Sequence, residues 1–189
     1  MRTIIVTASV LFFSVFAQGQ IPTSGNVFVG YSYVNTDLSP AGRNSTNGWE
    51  ATVEGKLLPF ISVAADFSAY YGSENITIYP PLPCPIGNPN CGPIVESVGT
   101  AEHNYLFGPR VSISVSKFRP FAEALVGAGH INANAAGSDT SFATAIGGGL
   151  DYKLLRILAW RFQGDYLRTS FFSSTQSNVR LTTGIVVRF

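Results

Sequence analysis

The sequence has 189 residues, 46% of them hydrophobic and only 12% charged, against about 25% charged in an ordinary soluble domain. Lys and Arg total 12 and Asp and Glu 11, so the net charge is close to zero. That length allows one domain, and that balance supplies no basic surface for holding a nucleic acid.

Taken from the start, residues 1–19 read as a signal peptide cleaved near 17–19. Arg2 gives the positive start, Ile4 to Phe16 the apolar stretch, and Ala17 or Gly19 a small residue at the cleavage point. The apolar stretch is short for a spanning helix, which needs roughly 17–25 residues. No later segment reads as a transmembrane helix, and no Cys stands near the cleavage point to carry a lipid anchor. The expected mature domain is 20–189.

From there the chain alternates short runs of period two with turn-rich gaps. Strands are predicted near 26–35, 48–56, 60–72, 101–115, 119–131, 141–153, 157–170 and 178–189. The gaps alternate in length. Leu57-Leu58-Pro59, Ser116-Lys117-Phe118 and Leu154-Leu155-Arg156 are tight, whereas 36–47, 73–100, 132–140 and 171–177 are long and rich in Gly, Ser, Asn, Asp and Pro. Short turns at one end and long loops at the other are the plan of a membrane barrel, with the short turns periplasmic. The longest loop, 73–100, holds both cysteines. In an exported protein Cys84 and Cys91, flanking a turn-rich stretch, read as a disulfide.

Side-chain parity decides between the two barrels that fit. Trp49, Ala51 and Val53 alternate with Glu50, Thr52 and Glu54; Trp160, Phe162 and Tyr166 alternate with Arg161, Gln163 and Asp165; Leu181, Ile185 and Val187 alternate with Arg180, Thr182 and Arg188. A soluble lipocalin-like barrel would turn the apolar set inward around a ligand. The polar set, however, includes Gly30, Ser32, Ala143, Ala145, Gly147 and Gly149, too bare for a wetted surface but suited to an eight-strand interior that side chains just fill. The apolar set carries Tyr31, Tyr33, Trp49, Phe67, Tyr71, Tyr105, Phe107 and Trp160, which suit lipid and its interfacial girdles. The expected fold is therefore all-β: a transmembrane antiparallel up-and-down β-barrel of eight strands in the bacterial outer membrane. Its partners are outer-membrane lipid and lipopolysaccharide.

Several segments resemble the OmpA-like barrels of the small outer-membrane β-barrel superfamily. They are Gly48-Trp49-Glu50-Ala51, Val63 to Tyr71 with Asp66, Leu106-Phe107-Gly108-Pro109-Arg110, Pro120-Phe121-Ala122-Glu123-Ala124, Gly147-Gly148-Gly149-Leu150-Asp151 and Arg180 to Phe189. The resemblance implies an architecture rather than an activity. The closing Phe189 resembles the terminal assembly signal of such barrels, which implies the barrel-assembly machinery as a partner during biogenesis.

Three groups of residues are candidates for function. By parity Glu50, Glu54, Lys56, Asp66, Arg110, Glu123, Asp151, Arg161, Asp165, Arg180 and Arg188 point into the lumen, where buried charges must pair. They form either a plug that closes the lumen or a gate whose pairs exchange to open a small pore. A two-residue turn at Ser116-Lys117 would set Arg110 across from Glu123, and His103 across from His130 on the outer face near the rim. The histidines could pack at the interface, touch lipopolysaccharide, bind a metal or serve a lipid A-modifying enzyme. Outer-membrane deacylases resembling PagL place a Ser two residues from the His, whereas here Asn132 follows His130 and Tyr105 follows His103. The third group is the long loop, with Ile76, Ile78, Tyr79, Pro80, Pro81 and Leu82 available for a contact whose ligand the sequence does not name. No phosphate loop, zinc motif, cofactor motif or catalytic triad is present. The leading expectation is a non-enzymatic barrel with a structural or surface-interaction role. A narrow ion or small-solute channel comes second, and a lipid A-modifying enzyme third.

Overall fold

The computed structural model describes residues 24–37, 43–78, 94–133, 137–171 and 175–189. The expected leader and the Cys84 and Cys91 pair lie outside the described residues, as do Tyr79 to Leu82. The chain forms eight strands: β1 Gly25–Asp37, β2 Arg43–Lys56, β3 Ile61–Ile78, β4 Ile94–Ser112, β5 Phe118–Ala133, β6 Gly137–Lys153, β7 Leu158–Thr169 and β8 Gln176–Arg188. Each pairs antiparallel with its chain neighbours, and β1 pairs with β8 to close the barrel. Gly25 and Phe189 exchange two backbone hydrogen bonds of 3.0 Å at the seam. Closure leaves no unpaired edge, the condition for a sheet in hydrocarbon, where no water can satisfy a free N–H or C=O.

The strands run further toward the extracellular end than the punctuation of the sequence predicts. β3 continues past Gly72 to Ile78, and β4 begins at Ile94 rather than 101, so much of the expected loop 73–100 is ladder, paired as far as Ile78↔Ile94. Ile76, Thr77, Ile78, Ile94, Val95, Val98 and Thr100 are β-branched, which favours extended backbone. Gly72, Ser73 and Gly99 interrupt that pattern in sequence but not in the sheet. β2 and β6 likewise start at Arg43 and Gly137 rather than 48 and 141.

The β4–β5 turn fixes a register used below. Val115 and Phe118 exchange backbone hydrogen bonds of 2.8 and 2.9 Å around Ser116-Lys117. Ser116 has φ of +56°, the left-handed value that a II′ turn requires at its first central residue. Arg110 consequently faces Glu123, and His103 faces His130.

The two faces are inverted relative to a soluble protein. Trp49, Phe67, Phe107, Trp160, Ile185 and Val187 all point outward and are between 41% and 60% exposed, while Glu50, Asp66 and Arg180 inside are at 0%. The outward band ends in aromatic rows: Phe118 against Tyr152 at 5.3 Å toward the tight turns, and Tyr31, Tyr33 and Tyr71 toward the other end. Trp160 donates Nε1–H to Thr183 Oγ1 at 2.8 Å, so its one polar group is satisfied within the sheet. Ile146 lies midway along the outward row of β6, between Tyr152 and Phe142, and is 66% exposed. Ile146→Arg is expected to destabilise the barrel in vesicles by about 2–4 kcal/mol, measured by equilibrium unfolding in guanidinium. The same change at Lys153, beyond the lower aromatic row, is expected to have little effect.

Candidate functional site

Each strand sends its polar parity inward, and the eight rows meet in two ionic clusters. Glu54 is the hub of the lower one. It accepts from Arg110 Nη1 at 3.1 Å, Arg119 Nη2 at 2.7 Å, Asn26 Nδ2 at 2.8 Å and Ser62 Oγ at 2.8 Å. Arg110 also donates from Nε to Glu123 Oε2 at 2.7 Å. Arg161 donates to both oxygens of Asp151, at 2.7 and 3.2 Å, and lies 3.8 Å from Glu54. Phe121 sits between Arg110 and Arg161, each guanidinium 4.5 Å from its ring centre, and Phe28 lies 4.9 Å from Arg161 on another side. The rings cover cationic faces that no hydrogen bond could use.

Arg180 is the hub of the upper cluster. Its Nη2 and Nη1 donate to the two oxygens of Asp66 at 3.0 and 3.2 Å, its Nε donates to Asp165 Oδ2 at 2.8 Å, and Glu50 Oε2 lies 3.4 Å away. Glu50 accepts in addition from Thr182 Oγ1 at 2.7 Å. The two clusters meet at Gln163. Its Nε2 lies 3.0 Å from Glu50 Oε1, 3.0 Å from Glu123 Oε1 and 2.9 Å from Asp165 Oδ2.

Apolar side chains close the space toward the extracellular end. Leu125 and Leu167 are the next inward residues beyond Glu123 and Asp165, and with Leu106, Ala64, Ala143 and Ala145 they form a dry cluster. Phe171, just after β7, is fully buried, and its ring fills the space above Gly129 that a larger residue there would take. Inward-facing Gly149 makes room in the same way lower down, where a Cβ would stand 2.8 Å from the Phe121 ring. Aromatic residues therefore occupy the lumen as well as the lipid face, with Phe28, Phe121 and Phe171 buried inside along with Tyr70.

Most of the expected lumen charges are in these clusters, and two, Lys56 and Arg188, lie at the tight-turn mouth. Lys56 has inward parity but is exposed at the tight-turn mouth and makes no ion pair among the described residues. As the last residue of β2 its long stem reaches water at little cost. Arg188 is also close to the mouth, its side chain 23% exposed, and touches Asp151 at 3.5 Å. Conversely, Arg119 and Glu102 are buried lumen residues that the sequence reading omitted. Both share parity with residues it included, Arg119 with Glu123 and Glu102 with Arg110. Both stand at the very start of their expected strands, 119–131 and 101–115, next to the turn and the long loop. Glu102 accepts from Asn104 Nδ2 at 2.9 Å.

The histidines are half-buried on the outer face. His130 Nδ1 lies 2.8 Å from Thr140 Oγ1, and His103 meets Tyr71 edge to face at 6.2 Å. Ser141, the closest serine across the β5–β6 ladder, pairs with Gly129 and not with His130. Among the described residues no group of three metal-ligating side chains occurs. Phe189 is 65% exposed on the outward side of the seam.

A sheet closed on itself, apolar outside and ionic inside, is an eight-stranded outer-membrane β-barrel. Solved structures agree on that fold. Neisserial surface protein A is similar at a TM-score of 0.61 with 11% identity, covering 87% of this chain and 97% of its own. Ail, the attachment invasion locus protein of Yersinia pestis, solved in complex with the heparin analogue sucrose octasulfate, is similar at 0.58 with 13% identity over 88% and 98%. The outer membrane protein OprG from Pseudomonas aeruginosa is similar at 0.56 with 11% identity over 91% and 98%. No family model matches the sequence, and no curated protein matches it.

Proposed function

We propose that this protein is a non-enzymatic outer-membrane barrel that acts through its extracellular surface while its lumen stays shut. The observation that carries the reading is the dryness of the lumen. Glu50, Asp66, Asp151, Arg110, Arg161 and Arg180 are all at 0–1% exposure. A water-filled conduit would wet the charged walls that line it. Here the charges are spent on one another, the leucines seal above them, and Phe171 covers the top. This is the arrangement of a plug, and it favours the structural role over a channel.

The extracellular end supports the same reading. The β3–β4 ladder extends past the aromatic row to Ile78 and Ile94, projecting a braced ribbon beyond the membrane. Two of the similar structures are named as an attachment invasion locus protein and a surface protein, roles exercised at the cell surface. A lipid A-modifying role gains no support, because the His130 row holds no serine at the spacing that such deacylases use. The exposed Phe189 at the closing seam suits recognition by the barrel-assembly machinery.

Proteoliposome swelling tests the closed lumen. Vesicles holding the folded barrel are expected to swell in small sugars no faster than protein-free vesicles. Swelling at the rate of a general diffusion pore would overturn the reading.

A further inference from the structure

We propose that the groove between the β4–β5 and β6–β7 turns binds the phosphodiester headgroup of an anionic phospholipid in the periplasmic leaflet. The groove is lined by Ser116, Lys117, Lys153, Leu154, Leu155 and Arg156. The two turns are held together by Lys153 N–H donating to Lys117 O at 2.8 Å, which brings three exposed cations into one place.

Charge points to an anion. Each lysine of the sequence, Lys56, Lys117 and Lys153, sits at this end, together with Arg156. All four are exposed, and none makes an ion pair among the described residues. The acidic side chains are not there to neutralise them. Every Asp or Glu whose side chain is described is buried, except the half-buried Asp139 at the opposite end of the barrel. The outer surface of the periplasmic mouth thus carries these cations with no described Asp or Glu side chain to offset them.

Apolar turn residues point to a lipid rather than a solution anion. Turns that end in water favour Gly, Asn, Asp, Ser and Pro. Here Leu154 and Leu155 stand in the groove at 47% and 61% exposure, and the neighbouring turn presents Leu57, Leu58 and Phe60 at 56–58%. They continue the lipid-facing band past the Phe118–Tyr152 row without a break. Leucines immersed beside the acyl chains, with Lys and Arg at phosphate level, match the layering of an anionic leaflet. An enclosed site for free phosphate would instead bring buried donors around the ion, and this groove is open.

The inference rests on the barrel's orientation, with its tight turns periplasmic. The test uses the folded full chain in zwitterionic micelles, with lipid binding read by native mass spectrometry. Dioleoyl phosphatidylglycerol is expected to bind about tenfold more tightly than dioleoyl phosphatidylcholine, since each basic group near an anionic surface contributes about a fivefold preference before screening. The triple variant Lys117→Gln, Lys153→Gln, Arg156→Gln is expected to bring the two lipids within about twofold of each other. Leu154→Ser with Leu155→Ser is expected to weaken both lipids while keeping their ratio. Heat-shifted gel mobility shows that each variant is a folded barrel, which separates failure of the site from failure of the fold. If the triple variant does not fold, wild type in high salt should lose the preference. No preference in the wild type, or an unchanged ratio in the triple variant, overturns the proposal. Displacement of phosphatidylglycerol by millimolar inorganic phosphate, with full binding in the leucine variant, overturns the lipid assignment in favour of a free-anion site.

Discussion

Replacing Arg180 with methionine is expected to destabilise the barrel by about 3–5 kcal/mol, the cost of leaving buried charge without its partner. Methionine keeps most of the volume and removes the charge. Arg180 is the only guanidinium within ion-pair distance of Asp66, Asp165 and Glu50 among the described residues, and all three carboxylates are at most 3% exposed. None can turn to water, because Leu167 and Tyr70 lie on the extracellular side and the lower cluster on the other. Arg180→Lys keeps the charge but loses the fork that holds both oxygens of Asp66 while reaching Asp165, so an intermediate loss is expected. Equilibrium unfolding in lipid vesicles, followed by the emission of the lipid-facing Trp49 and Trp160, reads both variants. A loss below about 1 kcal/mol for Arg180→Met would show that water reaches the carboxylates, contrary to a dry lumen.

Glu54→Ala is expected to cost about 3 kcal/mol, the lower part of the same range. Three guanidiniums lie within 4 Å of Glu54, but they do not lose equally. Arg110 keeps Glu123 and Arg161 keeps Asp151. Among the described residues Arg119 loses its one ion pair and retains only Ser112 Oγ, at 3.0 Å from Nε and 2.7 Å from Nη2. Its position two residues from Lys117, at the mouth, allows the side chain to find water, which limits the penalty. The ordering Arg180→Met above Glu54→Ala is itself the test, since a water-filled pore would make both small. Adding Arg119→Met to Glu54→Ala is expected to recover part of the loss, because the charge left without a partner goes with it.

How much of this was legible in the sequence follows from the range over which each feature is set. Parity is local, so the two faces of 48–56, 157–170 and 178–189 could be read strand by strand. A hairpin register needs only the turn, and Ser116-Lys117 placed Arg110 opposite Glu123. Strand ends were less legible, because Gly72, Ser73 and Gly99 look like punctuation until the ladder between Ile78 and Ile94 is seen. The contact of Arg180 with Asp66 was out of reach. Those residues lie on β8 and β3, which are not neighbours in the sheet and share no backbone ladder, and they meet only because closure and stagger bring them to one level of the lumen. The Phe121 ring between two guanidiniums was hidden for the same reason, since its space is supplied by Gly149 on the neighbouring strand.

The plug is most directly tested by single-channel recording in planar bilayers on the wild type and on the double variant Arg110→Met, Glu123→Leu. That replacement exchanges the Arg110–Glu123 pair for apolar groups of similar volume, which is often neutral for stability, and leaves Glu54, which also loses Arg110, with Arg119 and Arg161. If the ion pairs only fill and fix the lumen, both proteins fold equally well and neither shows conductance steps above the bare bilayer. Discrete openings in the wild type, or a stable double variant that conducts steadily, would contradict a closed lumen and make the ion network a gate.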